Sequence, residues 1–214
     1  MVFEELLSLA GNLPCFDLPL VAQAAMGESK PALRVQLSRW MAQGKLLHLR
    51  RGVYAFAPPY ARASASPPEL SGLLYSPSYL SGVWALGYYG LIPERVVELT
   101  AVTTRVPRLF QNAFGVFSYR HIKRAMFFGY RQTGFAGRKI TVAEPEKALL
   151  DHWHLTPGEW TPERIEAMRY QNAEVVDTRR LAGYAGRFDS PRLLRATRRW
   201  LEWRAREDEG DILP

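Results

Sequence analysis

Residues 29–56 constrain the fold of this chain more than any other stretch, because they combine a helix with one apolar face and a short basic β-hairpin. Ser29 is typical of an N-cap, and Pro31 is typical of the first turn of a helix. The apolar face of the predicted helix, which Gly44 ends, consists of Leu33, Leu37, Trp40 and Met41. Residues 46–50 and 53–57 are predicted to form two strands that meet at Arg51 and Gly52.

Two shorter helices are predicted before this stretch, at residues 2–10 and 17–26, the second with Asp17 as its N-cap. Three helices and a hairpin within about sixty residues match the size of a winged helix-turn-helix domain. In such a domain the third helix enters a DNA groove and the hairpin lies on the DNA backbone.

Composition narrows the class of protein. The 214 residues are 47% hydrophobic, which allows a folded core, and their net charge of +7 favours a polyanionic partner. Cys15 is the only cysteine of the sequence, which excludes an intrachain disulfide and a cysteine-based zinc site and fits a reducing cytoplasm. The first residues lack the basic segment of a signal peptide. The uncharged residues 70–93 are interrupted by Pro, Ser, Gly and Tyr, so we expect a buried helix there, no membrane span and a cytoplasmic protein.

A stretch rich in Pro, Ala and Ser, residues 59–68, predicts a linker between two domains. We therefore expect an α+β protein in which a winged helix-turn-helix domain at 1–58 precedes a mixed α/β domain with a helical end at 69–214. The elements predicted for the second domain are a helix at 77–91, strands at 97–104, 115–122, 126–132 and 139–142, and helices at 145–152, 162–170, 178–184 and 190–206. Residues 207–211 are predicted to form a frayed acidic tail.

Positive charge is concentrated between Glu28 and Gly52. This stretch contains six Lys and Arg side chains and only one acidic side chain, that of Glu28. With the apolar face of the third helix turned inward, its small and cationic residues point outward. Small residues let the helix backbone approach base edges closely, and Arg is the side chain that most often reads guanine. The DNA-contacting residues predicted on the helix are Ser29, Lys30, Ala32, Arg34, Ser38 and Arg39. Arg50 and Arg51 at the hairpin tip are predicted to contact phosphates or the minor groove. The alternative for this region is a solvated basic face on an ordinary helical unit.

Motifs for catalysis are weak. His152 and His154 could ligate a metal from a strand, but on the predicted helix positions i and i+2 diverge. Residues 144–147 (EPEK) are similar to the E-x-K of metal-dependent nucleases, yet Pro145 predicts a helix start, where the acid at Glu146 stabilises the helix terminus. The sequence has no nucleophile elbow, P-loop or GxGxxG. We predict no catalytic residue, no metal and no cofactor.

Several blocks resemble the AbiEi-type antitoxins, also described as transcriptional regulators of viral defence systems. In order, these blocks are LLHLRRGVY at 46–54, SPSYLSGVWALGYYGLIP at 76–93, ELTAVTT at 98–104, YRHIK at 119–123 and AEPEKALLD at 143–151. The resemblance spans residues 16–151. It implies a winged helix followed by an α/β domain, repression of the protein's own operon through inverted repeats at the promoter, and neutralisation of a nucleotidyltransferase-like toxin in the type IV manner without a stable complex. Inverted repeats imply two copies on the DNA, as a dimer on its site.

We therefore expect a non-enzymatic autorepressor and antitoxin that binds double-stranded DNA. Two alternatives remain open at this point. The second domain could be the sensor of a ligand-responsive repressor. Alternatively, the winged helix could target a DNA-processing enzyme whose activity depends on Glu144 or Glu146.

Overall fold

The first half of the chain combines three helices with a small antiparallel sheet. The computed structural model describes residues 1–25, 27–63 and 65–210, and over these ranges the protein is mixed α+β with two sheets. The elements of the first half are α1 (Phe3–Ala10), β1 (Phe16–Asp17), α2 (Leu18–Ala24), α3 (Lys30–Ala42), β2 (Leu46–Arg50) and β3 (Val53–Phe56), with the strands in the order β1-β3-β2. Asp17 and Ser29 cap α2 and α3 as predicted. The predicted end of the second helix at Met26 lies outside the described residues.

Strand β3 is buried on both of its faces. Tyr54 and Phe56 pack into a core with the three helices, whereas Val53 and Ala55 pack into the core of the second half. Successive side chains of a strand point to opposite faces, so the hairpin lies between two cores and joins them. The two halves are therefore connected by packed side chains as well as by the chain itself.

The second half is built on a six-stranded mixed sheet flanked by helices. Its elements are α4 (Pro67–Leu74), β4 (Ser78–Leu80), α5 (Gly82–Tyr88), β5 (Leu99–Thr103), β6 (Arg108–Asn112), β7 (Gly115–His121), β8 (Tyr130–Phe135), β9 (Arg138–Ala143), α6 (Pro145–Leu155), α7 (Pro162–Ala167), α8 (Thr178–Arg187) and α9 (Pro191–Gly210). The strand order is β6-β7-β5-β4-β9-β8, with β4–β9 and β5–β7 parallel and the other neighbours antiparallel. Trp153, Trp160 and Trp200 are almost fully buried among the helices. Within the described ranges, no helix combines the length and apolar character needed to cross a membrane.

The helix predicted over 77–91 is wrong in its first five residues. Ser78–Leu80 is strand β4, which pairs with β5 on one side and β9 on the other, and the helix begins only at Gly82. Gly82 has φ +59°, a left-handed conformation that favours glycine and separates the strand from the helix. An apolar run fits a central strand and a buried helix equally well, and here the pairing with two neighbours decides.

Other predicted boundaries also shift. The strand predicted at 126–132 begins only at Tyr130, because Arg124–Met126 form a short 3-10 helix and Gly129 adopts φ +66° next to Lys147 and Tyr184. Strand β6 was not predicted. Helix α4 begins inside the predicted linker, where Ser66 caps it. The acidic tail is helical as far as Gly210, and its predicted end at Asp211 lies outside the described residues.

Candidate nucleic-acid interface

Helix α3 presents a cationic face to solvent. Pro31 lies in its first turn and the Ser29 hydroxyl accepts the Ala32 N–H (3.3 Å), so the helix start is fixed by local contacts. Leu33 and Leu37 are fully buried, which sets the rotation of the helix. All six residues predicted to contact DNA from this helix are consequently exposed: Ser29, Lys30, Ala32, Arg34, Ser38 and Arg39.

The turn between β2 and β3 brings a second cation beside this helix. Arg51 is exposed, and Gly52 adopts φ +76°, which a tight turn of this kind requires. The Gly52 carbonyl accepts the Leu18 N–H (3.0 Å), so the turn is tied to the start of α2. A groove of about 420 Å³ separates the turn from α3 and is lined by Lys30, Arg34, Arg50 and Arg51. The structure therefore brings the predicted cations Lys30, Arg34, Arg50 and Arg51 together, whereas Arg39 does not line this groove.

His48 belongs to the same surface and was not predicted. It lines a second depression with Arg34, Arg51 and Tyr54, next to the first groove. The side chain is exposed and its ring lies 5.8 Å from the ring of Tyr54, its partner across the hairpin. Strand alternation puts His48 on the same face as buried Leu46, so the sequence pattern gave no sign that its side chain would be exposed.

Arg50 contacts the second half of the chain. A register shift between His48 and Arg50 marks a bulge in β2, which redirects the side chain. Its Nε donates to the Leu74 carbonyl (2.5 Å) and its Nη1 donates to the Arg51 carbonyl (3.1 Å). The DNA contact predicted for Arg50 stays a prediction, but its guanidinium also anchors the hairpin on α4. Both acceptors are neutral, so the charge of Arg50 is retained at the groove.

The cations of this surface are not neutralised by carboxylates. In the part of the chain that the structure describes, Lys30, Arg34, Arg39 and Arg51 have no carboxylate oxygen within 4.0 Å. Asp17 also lines the groove, but its carboxylate accepts the Leu20 N–H (3.0 Å) at the start of α2. The surface can therefore bind an anion without first breaking an ion pair.

Charged side chains on α6, among them Lys147 of the EPEK motif, make buried contacts within the second half. Lys147 and Asp151 form a fully buried ion pair one turn apart on α6, and burial lowers the pKa of Lys147. The Asp151 carboxylate also accepts the hydroxyls of Tyr79 (3.1 Å) and Ser81 (2.7 Å). The Lys147 ammonium lies 4.9 Å from the ring centre of Phe188. This network is enclosed by side chains and joins β4 to α6.

The glutamates of the EPEK motif have structural partners. Glu144 accepts the Tyr184 hydroxyl (2.6 Å), and Glu146, which is fully buried, accepts the Asp177 N–H (2.7 Å). Burial lowers the pKa of His152 to about 4, which favours the neutral ring. Over residues 1–25, 27–63 and 65–210, no group of three or more His, Cys, Asp or Glu side chains is placed to hold a metal ion.

The strongest candidate site is thus the surface formed by α3 and the turn at Arg51. It is open, cationic and built on regular elements, whereas the buried charges of the second half face one another. Neither a scan against protein-family models nor a search of curated proteins found a match for this chain.

Proposed function

We propose that this chain binds double-stranded DNA as a winged helix-turn-helix protein, with α3 in the major groove and the β2–β3 turn on the backbone. The order of elements supports this, because α1, β1, α2 and α3 followed by the β2–β3 hairpin place a helix and a wing side by side. An α-helix fits the major groove, where the edges of all four base pairs can be distinguished.

One observation carries the proposal: Lys30, Arg34 and Arg51 are exposed and line a common groove, and none of them has a carboxylate oxygen within 4.0 Å among the described residues. Ala32 and Ser38 are small and exposed on the same helix, so the backbone can approach base edges closely. Arg34 is the candidate for reading a guanine, because its guanidinium can donate two parallel hydrogen bonds to O6 and N7. Arg51 contacts phosphate in this arrangement.

The regulatory role is repression of the protein's own promoter. Inverted repeats bind two copies, whose recognition helices are separated by one turn of DNA. The resemblance to AbiEi-type antitoxins adds a second role, neutralisation of a nucleotidyltransferase-like toxin by the second half of the chain. That role depends on the resemblance alone.

A fluorescence-anisotropy titration tests the DNA-binding proposal. The purified protein is titrated into labelled duplexes of its own upstream DNA and of the same sequence scrambled, at two salt concentrations. We expect tighter binding to the upstream duplex and an affinity that falls as salt rises. Equal and weak binding to both duplexes would refute sequence-specific repression.

A further inference from the structure

A cavity of about 290 Å³ lies where the two halves of the chain meet the segment that joins them. Its walls come from the loop before β1, both strands of the β2–β3 hairpin, the connecting segment and the turn between β6 and β7. Residues that line this junction cavity include Leu13, Leu47, Phe56, Ala61, Ala113 and Phe114. Sites for small molecules occur preferentially between packed units of this kind.

The junction cavity is apolar. Among the described residues, its lining side chains are those of Leu, Pro, Phe and Ala alone, and four of them are alanines, which leave space that larger side chains would fill. Arg62 of the connecting segment does not line the cavity, and its aliphatic stem lies against Gly11 instead. A charged group would lose its hydration here without gaining a partner, so the cavity selects against ions.

The volume of the cavity fits a small molecule better than a protein partner. An apolar cavity of about 150 Å³ holds one benzene molecule. The junction cavity has about twice that volume, which matches two fused rings. A stable protein interface buries about 800 Å² on each partner, far more than the walls of one cavity of this size offer. Leu13, which is 41% exposed at the cavity wall, would be covered by such a ligand.

The walls of the junction cavity are connected to the proposed wing. Leu47 belongs to β2, which leads directly into the turn at Arg51. On the wall formed by the β6–β7 turn, the Asn112 side chain accepts the Phe114 N–H (2.8 Å) and donates to the Leu49 carbonyl of β2 (3.1 Å). A molecule that contacts both walls therefore stabilises the hairpin in the position that places Arg51 beside α3.

We propose that the junction cavity binds an uncharged aromatic molecule of one or two rings, and that this ligand strengthens binding to DNA. A ligand stabilises the conformation to which it binds. That conformation is the one in which the hairpin packs on both cores and its turn lines the groove with α3. The ligand acts as a corepressor, and this regulatory half of the inference rests on the proposed function, whereas the binding half is independent of it.

Calorimetric titration with indole, an uncharged two-ring probe, tests the cavity in the absence of DNA. Indole-3-acetate is the matched control ligand, because it adds a carboxylate to the same rings. We expect one indole to bind per chain and to raise the midpoint of thermal unfolding. Indole-3-acetate should bind about 10-fold more weakly or worse. Indole that neither binds nor raises the midpoint would overturn the inference.

Variants that fill the cavity assign the binding to this place. Ala113→Leu and Ala61→Leu add side-chain volume from two different walls, at residues that are exposed and therefore tolerate substitution. Ala205→Leu makes the same change on the exposed face of α9, away from the lining residues. We expect both cavity variants to lose indole binding and the control to keep it. Equal indole affinity in all three would overturn the inference.

The anisotropy titration with saturating indole tests the regulatory half. Binding to upstream DNA should tighten about 5-fold or more in wild type and Ala205→Leu but not in the cavity variants. By linkage, the DNA complex should bind indole more tightly by the same factor. Unchanged or weaker DNA binding with indole bound would overturn the regulatory half.

Two further results separate the possible failures. If wild type binds neither duplex, the proposed function fails together with the regulatory half, and the calorimetry still decides the binding half. If indole does not bind and sedimentation shows a dimer that Ala113→Leu dissociates, a second copy of the chain covers the cavity and the inference is overturned.

Discussion

Replacing Arg34 with alanine gives the sharpest test of how α3 is oriented. Arg34 is exposed and has no carboxylate within 4.0 Å among the described residues, so its removal breaks no ion pair described in the structure. We expect the free energy of unfolding to change by less than about 0.5 kcal/mol. Any loss of affinity can then be attributed to the DNA interface.

A bidentate contact from Arg34 to guanine is worth about 1–3 kcal/mol. Its loss should weaken binding to upstream DNA about 5- to 160-fold for each half-site, with a much smaller effect on scrambled DNA. The measurement is the anisotropy titration on both duplexes, with Arg95→Ala as a control that removes another exposed guanidinium, before β5. Equal losses on the two duplexes, or no loss on either, would refute the assignment of Arg34 as a base-reading residue.

Three other predictions concern the hairpin, the buried histidine and the second half. Arg50→Ala should lower the free energy of unfolding by about 1.5–3 kcal/mol, because it removes the charged hydrogen bond to the Leu74 carbonyl. The exposed Arg51→Ala should leave it unchanged. Urea unfolding of both variants checks this, and equal midpoints would contradict it. The pKa of His152 is about 4 in the folded chain against 6.5 for a free imidazole, so the unfolded chain binds the proton more tightly and stability falls as pH drops from 6.5 towards 4. His152→Phe should therefore flatten the pH dependence of unfolding by about 2–3 kcal/mol between pH 7 and 4.5, and an unchanged pH profile would contradict the neutral buried ring. The last test expresses the protein and an adjacent nucleotidyltransferase-like toxin from inducible promoters. The R34A/R51A variant should lose repression of the native promoter yet still rescue growth. Loss of repression together with loss of growth rescue would contradict separate roles for the two halves.

The first half of the fold could be predicted from local sequence signals. Asp17 and Ser29 are helix caps that act on residues three positions away, and Gly44 and Gly52 both adopt positive φ where the chain turns. Such contacts are encoded within a few residues. The pairing of β1 with β3 depends on residues almost forty positions apart, and no local pattern marks it.

The second half was harder to predict because its sheet is non-local. Ser78–Leu80 becomes a strand only through pairing with β5 and β9, and β6 has mostly exposed residues without a clear alternation. Edge strands of this kind carry little hydrophobic signal. The helices predicted to begin at Pro145, Pro162 and Ser190 start at or next to these residues, since each start is marked by a proline or a capping residue.

In the candidate site, too, some features follow from local sequence patterns and others depend on contacts between distant residues. Exposure of Lys30, Arg34 and Arg39 followed from the helical period, because Leu33 and Leu37 had to face inward. The second role of Arg50 could not be predicted, since it depends on a bulge and on the carbonyl of Leu74.

The central claim, that α3 reads the major groove of upstream DNA, is tested most directly by methylation protection of guanine N7, which lies in that groove. With saturating protein, we predict protected guanines in two symmetry-related half-sites about one helical turn apart. In Arg34→Ala one protected position of each half-site should become reactive. A saturated complex in which every N7 remains as reactive as in free DNA would contradict the account.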